Sequence, residues 1–350
     1  MLVSDFDYEL PPELIAQEPL ERRDLSRLLS LEVETARIRH HRFQELPALL
    51  RSEDVLVVNN TRVFPAKLRG RTESEAVVEL LLVRPGSAGR WEVLARPARR
   101  LRMGTMVHFG RGELRALVTG VGELGKRTVE LLHEGDLDPI LERLGRTPLP
   151  PYIKREPSGL GRGRREREDR ERYQTVYARE RGSIAAPTAG LHFTRGILDE
   201  LKTLGIEIVE LTLHVGYGTF QPIRTETVEE HRMEAERYTI PPEVSASIER
   251  ARARGGRVVA VGTTTVRALE SAALEPGKVR VGAGVTELFI YPGFRFQVVD
   301  ALLTNFHLPR SSLLMLVSAL GGVEAVQQAY REAVREHYRF YSYGDCMLLY

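Results

Sequence analysis

The chain has 350 residues, 42% hydrophobic and 28% charged, with one cysteine and a formal net charge of +2. That balance excludes a disordered, collagenous or membrane-embedded chain, and a chain of this length buries roughly 75% of its unfolded surface, with two domains as the prior. The lone Cys346 excludes an internal disulfide framework and any multi-cysteine metal centre, fits a reducing compartment, and makes the cytoplasm the expected location.

From residue 55 to about 134 the chain reads as short strands broken by turn signals: DVLVVNN, FPAKLRGR, AVVELLLVRP, RWEVLARPARR, TMVHFG, LRALVTG and RTVELLHEG. Repeated β-type runs with no helical pattern between them predict a small antiparallel barrel. Next comes PLPPYIKREPSGLGRGRREREDRERYQTVY, where six arginines and four acids in residues 159–172 predict a solvated, mobile linker over 156–172. From Thr194 the pattern changes. Thr194 can cap a helix carrying Ile197, Leu198, Leu201 and Leu204, Gly205 stops it, and IEIVELTLHVG follows as a strand. Pro241 and Pro242 open a second helix with Val244 and Ile248 on one face, Gly255 and Gly256 end it, and VVAVG reads as a buried strand. Thr263, Thr264 and Thr265 then supply hydroxyls at the start of VRALESAAL. Further on, LFIYPGF and VVDALLTNF read as strands and SSLLMLVSAL as a helix. VEAVQQAYREAVREHYRF reads as an amphipathic helix with Val323, Val326, Tyr330 and Val334 on one side. The predicted fold is an α/β main domain, residues 1–60 plus 150–350, with an inserted small antiparallel β-barrel domain, residues 61–149.

No apolar run reaches the ~18 residues of a membrane helix, and MLVSDFDYEL carries acids where a signal peptide carries bases, so neither membrane insertion nor export is expected. Five lysines leave 45 arginines among the 50 basic residues; spread evenly, they read as solvated faces, so any RNA contact is local. Gly120, Gly122 and Gly125 spell G-x-G-x-x-G and, with Lys126, nearly a phosphate-binding loop. Arg127 stands where that loop needs Ser or Thr, and a strand follows where a helix is required. A hairpin turn is therefore expected here, rather than the site of a nucleotide-dependent oxidoreductase. The nine histidines are scattered and H-E-x-x-H is absent, so no metal site is expected. G-x-S-x-G is absent too.

Polar strings rich in glycine stand at the ends of the predicted strands. They are NNTRVFPAKLRG from Asn59, AAPTAGLHFT from Ala185, LTLHVGYGTFQP from Leu211, VAVGTTTVRALES from Val259, LFIYPGFRFQVVDALLTNFHLPRSS from Leu288 and YRFYSYGD from Tyr338. With DFDYELPPELIAQ and RDLSRLL near the start, the chain from Asp5 to Asp345 resembles the S-adenosylmethionine:tRNA ribosyltransferase-isomerase family of queuosine biosynthesis. The resemblance implies an α/β domain with an inserted β-barrel. It also implies an enzyme that moves the ribosyl moiety of S-adenosylmethionine onto 7-aminomethyl-7-deazaguanine at the wobble position of a tRNA. Adenine and methionine leave, the sugar rearranges, and epoxyqueuosine-tRNA results. The implied partners are that tRNA and S-adenosylmethionine as co-substrate, without metal or membrane, and a monomer is expected. The alternative class is a non-catalytic RNA-binding protein using the barrel and the arginine-rich stretch.

Such a reaction begins by taking a proton from the 5′ carbon beside the sulfonium, so a base must come within ~3.2 Å of it. The substrate amine supplies the new bond, and no nucleophilic residue is needed. His192, His214 and His307 are the candidate catalytic groups, each inside one of the strings. Thr188, Gly190, Gly216, Gly218, Gly262, Thr263 and Thr264 are the candidates for close approach to the adenosyl group. Tyr217, Tyr291, Phe294 and Phe306 are candidates for stacking on adenine or the extruded base, and Arg62, Arg267 and Arg295 for phosphate or carboxylate contacts. Asp300 and Glu270 stand next should no histidine serve.

Overall fold

A computed structural model of the chain describes residues 1–87, 89–155, 162–220 and 223–350. The chain enters through β1 (Arg27–Glu32), β2 (Arg37–Arg42), β3 (Val55–Asn59) and the short β4 (Thr61–Val63). Six strands follow: β5 (Lys67–Thr72), β6 (Val77–Pro85), β7 (Arg90–Arg96), β8 (Met106–Phe109), β9 (Leu114–Val121) and β10 (Lys126–His133). Helices α1 (Leu137–Leu144) and α2 (Arg162–Arg172) lead to β11 (Glu180–Ser183), α3 (Arg195–Thr203), β12 (Glu207–Leu213) and β13 (Glu236–Ile240). Then come α4 (Pro242–Ala253), β14 (Val258–Val261), α5 (Thr263–Ser271), and the small β15 (Ala273–Glu275) and β16 (Lys278–Val279). The last elements are β17 (Gly282–Thr286), β18 (Ala301–Asn305), α6 (Ser312–Gly321), α7 (Val323–Arg335) and β19 (Cys346–Leu349).

Strands β5 to β10 close into an antiparallel barrel in the order β10-β7-β6-β5-β8-β9. Leu80, Leu82, Val93, Ala95, Val107, Phe109, Val129 and Leu131 alternate into its core, and closure leaves no free edge. Gly70 on β5 makes room for that core, since a Cβ there would stand 2.7 Å from the Phe109 ring. DVLVVNN, the first run in the strand-rich stretch, is not a barrel strand: it supplies β3, wholly buried in the middle of the main sheet.

The main sheet has nine strands in the order β17-β13-β12-β3-β14-β18-β19-β1-β2. Strands β12, β3, β14 and β18 run parallel, while β19 lies antiparallel to β18 and parallel to β1. Parallel strands covered on both faces need continuous apolar runs, and VLVV, VVAV and ALL provide them. Helix α3 packs Ile197 and Leu201 on one face with Leu56 and Val58; α4 to α7 pack on the other with Val55 and Val57. Thr194 caps α3, its hydroxyl accepting from the Ile197 N–H at 3.3 Å, and Pro242 opens α4.

Two expectations are corrected. LFIYPGF is not a strand: Pro292 has no N–H to give a ladder, and Gly293 turns with a φ of +100°. Within the expected linker, residues 156–161 lie outside the described residues, and Arg162–Arg172 is helix α2. Its charges are anchored, Asp169 to Arg155 at 2.8 Å, Arg170 to Glu142 at 3.3 Å and Arg165 to Glu18 at 3.3 Å, so this part is a brace. Among the described residues no single helix is long and apolar enough to cross a membrane.

The amino-terminal edge of β3 and β14 is held by a buried ion pair. Asp54 accepts from Arg257 Nη2 at 2.7 Å, from the Arg257 N–H at 2.9 Å and from the Arg51 N–H at 3.0 Å. Burial raises its pKa, but these donors outweigh burial and hold the carboxyl below the usual aspartate range. Asp54→Ala leaves Arg257 largely buried without its counter-charge and should lower unfolding free energy by about 3 kcal/mol. Because the folded-state pKa is depressed, this stabilisation is present above the ordinary aspartate range and is lost as pH falls through the folded value. Urea titrations should therefore show wild type and variant well separated at about pH 7 and drawing together only as pH falls below the ordinary aspartate range.

Candidate functional site

In open α/β sheets, ligands bind beyond the carboxyl ends of neighbouring strands whose connections leave to opposite faces. Strands β3 and β14 are such neighbours: the chain leaving β3 returns through α3 on one face, and β14 runs directly into α5 on the other. Asn59, the last residue of β3, bridges the gap. Its Nδ2 donates to the Leu213 carbonyl at 3.0 Å and to Thr264 Oγ1 at 3.2 Å. Its Oδ1 accepts from the N–H groups of Leu213 at 3.0 Å and Thr61 at 3.1 Å. Asn60 adds a bond from Thr212 Oγ1 at 2.7 Å. The ends of β12 and β3 and the start of α5 are thereby tied together.

Gly262 turns the chain into α5 with a φ of +89°, a conformation that side chains disfavour. A Cβ on it would lie 3.7 Å from the Ala189 Cβ, so the turn Thr188–His192 packs against the mouth of the helix. Thr188, Gly262, Thr263 and Thr264 thus belong to one region, where the first N–H groups of α5 favour an electron-rich partner.

The three histidines differ sharply in their surroundings. His214 lies just beyond β12 and is half-buried. Thr61 Oγ1 stands 2.8 Å from its Nδ1, and among the described residues no group meets its Nε2. Gly182 lets the ring lie against the backbone, because a Cβ there would come within 2.6 Å of it. Burial lowers the His214 pKa, with Glu180 opposing and Arg237 adding, so the ring is neutral at about pH 7. His192 is buried, with Ser26 Oγ 2.7 Å from Nδ1 and Asn305 Nδ2 3.1 Å from Nε2. Burial, then Arg23 and Arg339, push its pKa down to about 3. His307 is also buried, its Nε2 2.8 Å from Thr304 Oγ1, and burial pushes it down to about 3. With both nitrogens engaged, His192 is a fixed wall; His214 alone joins access, an orienting partner and a free nitrogen.

Several expected contacts are taken up inside the protein. Arg267 is ion-paired with Glu236, both buried, and its Nε donates to the Leu288 carbonyl at 2.9 Å. Glu236 also accepts from the Gly216 N–H at 2.7 Å, so the pair shapes the loop after His214, while Arg267 Nη2 lies buried without a partner among the described residues. Phe306 is fully buried among Tyr330, Tyr338 and Phe340 at 5.3, 5.5 and 5.1 Å, leaving no face for a base. Gly190 makes room for Tyr177, whose hydroxyl would stand 2.1 Å from a Cβ. Glu270 accepts the N–H groups of Gln297, Val298 and Val299, and Asp300 binds Arg252 and the Val258 N–H. Gly218 packs beside Glu234, Tyr217 beside the barrel core, and Tyr291 and Phe294 are half-buried on the main core. Arg62 and Arg295 are exposed. Gly120, Gly122 and Gly125 lie in the β9–β10 hairpin, where Leu124 and Gly125 have positive φ, so no helix end faces a phosphate there.

A second group surrounds a pocket beside His192, lined by Pro19, Leu20, Arg23, Ser26, Arg172, Leu191, Ser342, Tyr343 and Gly344. Sequence reasoning did not select these residues, or Asn59 and Thr61. The available signal was a pair of asparagines ending a wholly apolar strand, where a buried carboxamide needs several partners. Among the described residues no three His, Cys, Asp or Glu side chains are grouped to hold a metal ion.

The family model described as queuosine biosynthesis protein matches residues 3–349. A relative from Moorella thermoacetica named S-adenosylmethionine:tRNA ribosyltransferase-isomerase is 54% identical, and one of the same name from Pelotomaculum thermopropionicum is 51% identical; each covers 100% of both chains. The crystal structure of an S-adenosylmethionine tRNA ribosyltransferase from Thermotoga maritima is 39% identical, with a TM-score of 0.55 over 99% of this chain and 100% of that one.

Glu236→Ala strands the buried Arg267 guanidinium and should lower stability by about 3–5 kcal/mol. Adding Arg267→Met removes the stranded charge and should recover part of the loss, which unfolding midpoints of the single and double variants will measure.

Proposed function

The chain belongs to the queuosine biosynthesis protein family, and from that premise we propose that it acts as an S-adenosylmethionine:tRNA ribosyltransferase-isomerase on 7-aminomethyl-7-deazaguanine at the tRNA wobble position. The full-length match to relatives of that activity carries this reading. The junction where Asn59 joins the start of α5 to the strand preceding His214 supports a site at these strand ends.

In this reading the mouth of α5, with Gly262, Thr263, Thr264 and the turn holding Thr188, receives the adenosyl group, and Gly216 keeps the neighbouring loop close. His214 Nε2 takes the proton from the 5′ carbon, whose acidity the sulfonium raises. Thr61 and Gly182 fix the ring, and burial keeps it neutral and able to accept. The electron pair left on carbon forms a double bond to the 4′ carbon and breaks that carbon's bond to the ring oxygen, whose electrons then close a carbonyl at the 1′ carbon and expel adenine, which takes up a proton. The aminomethyl nitrogen adds to the 4′ carbon and loses a proton, and the pair returned to the 5′ carbon closes on the carbonyl carbon. The alkoxide so formed displaces sulfur, closing the epoxide as the carbon–sulfur bond breaks with its electrons on methionine. Arg62 and Arg295 meet tRNA phosphates, and Tyr217, Tyr291 and Phe294 flank the extruded base. The enzyme works in the cytoplasm as a monomer, with S-adenosylmethionine as its co-substrate.

Incubation with S-adenosylmethionine and tRNA carrying the deazaguanine releases adenine and methionine in equal amounts; release of neither refutes the assignment. Salt-sensitive tRNA binding without turnover would instead mark a non-catalytic RNA-binding protein. His214→Ala should cut turnover ~100-fold or more with tRNA affinity nearly unchanged. Because the pKa of folded His214 is lowered, the acid limb of kcat/KM should lie below the ordinary histidine value of 6.5, and a limb above it would remove His214 as the base.

A further inference from the structure

We infer that the pocket beside His192 is an oxyanion site, in which Arg23 and Arg172 in its wall, with Arg339 beside them, take either the carboxylate of S-adenosylmethionine or a tRNA phosphate. The choice between those two sources rests on the proposed activity; the anion site itself does not.

Three guanidinium groups gather here, and among the described residues no carboxylate is hydrogen-bonded to any of them, although Asp345 acts on Arg339 and Glu171 on Arg23 through space. Arg23 donates to the carbonyls of Gln174 at 2.5 Å and Glu171 at 3.1 Å, Arg172 to that of Leu20 at 2.5 Å, and Arg339 to that of Glu18. Carbonyl dipoles satisfy donors but do not neutralise charge, and these three guanidinium groups are half-buried, where an anion gains more than it does in open solvent. Among the described residues none of the three has a carboxylate partner. The acids nearby are committed elsewhere. Glu18 pairs with Arg165, Asp169 pairs with Arg155, and the Asp345 carboxylate accepts the N–H groups of Arg27 and Arg339 at 2.8 Å each. Glu171 is exposed and gives Arg23 its carbonyl as hydrogen-bond partner. Burial, and then Arg172, lower the pKa of Arg23, with Tyr343, Glu171 and Tyr177 opposing.

Two donors are left over. Arg339 Nη1 and the Tyr343 hydroxyl are buried without a partner, and Tyr343, 5% exposed, forms part of the pocket wall. A buried donor with nothing to bind costs about 1–3 kcal/mol, so a site that retains two beside unpaired arginines is complementary to an acceptor-rich anion. His192 forms the neighbouring wall, held by Asn305 at the carboxyl end of β18. That strand pairs in parallel with β14, so His192 stands at the same end of the sheet as Gly262.

Inorganic phosphate is the probe. At constant ionic strength the wild-type Tm should rise with phosphate concentration relative to chloride, and the rise should be lost in Arg172→Gln and Arg339→Gln. In the adenine-release assay the same variants should raise one KM about tenfold or more with kcat within about threefold. A higher KM for S-adenosylmethionine identifies the carboxylate; a higher KM for tRNA identifies the phosphate. No phosphate response in the wild type, or an unchanged response in both variants, overturns the site. The phosphate titration needs no turnover, so it stays readable if the wild type releases no adenine and the proposed activity falls.

Discussion

A parallel strand that ends inside a protein leaves backbone groups beyond its ladder that must still find partners. Here the Asn59 carboxamide does that work, accepting from the Leu213 N–H, donating to the Leu213 carbonyl and reaching Thr264 on α5. A single side chain therefore sets the distance between two strand ends and a helix start. Because His214 follows Leu213 directly, its ring inherits that placement, and Thr61, on the strand after Asn59, fixes its rotation. Groups held by strands and helices keep catalytic spacing better than groups held by loops.

Buried charge is handled in two ways, and the difference separates scaffold from site. At the amino-terminal edge Asp54 and Arg257 neutralise one another, as do Glu236 and Arg267 behind the His214 loop. Both pairs keep their neighbours in place and carry their own counter-charge, although Arg267 Nη2 remains without a partner among the described residues. The guanidinium groups of Arg23, Arg172 and Arg339 are hydrogen-bonded to carbonyls, and among the described residues no carboxylate forms an ion pair with them. The same residue type stabilises the fold in one setting and favours an anion in the other.

The barrel and the main sheet are joined by more than chain connectivity. Lys126 at the barrel turn reaches Glu234 at 3.0 Å, and Arg181 reaches Asp138 at 2.5 Å. Helix α2 adds a second tie, since Arg170 donates to the Glu142 and Gly145 carbonyls beside the barrel while Arg172 extends to Leu20. An arginine-rich run that reads as solvated chain is thus a strut, and the site beside His192 takes one of its arginines from it.

How much was legible in the sequence follows from how far each signal reaches along the chain. Alternation in AVVELLLVRP or LRALVTG is a pattern of neighbours, and so is the helical spacing of Val244 and Ile248; the barrel strands and helices α3 to α7 could be read directly, whereas α1 and α2 were not. The same local signals misassigned LFIYPGF, where apolar residues suggested a strand and the proline forbade its ladder. Pairing was not legible: nothing in CMLL says that it inserts between β18 and β1. Nor were the histidines separable, since all three stand in similar glycine- or proline-bearing strings. Burial divided them, pushing His192 and His307 to about 3 and leaving His214 accessible. The sequence by itself determined the two architectures, the family and the strings from which a site could be drawn. Only the tertiary structure decided which side chains face one another, because desolvation and hydrogen bonding depend on neighbours that lie far apart along the chain.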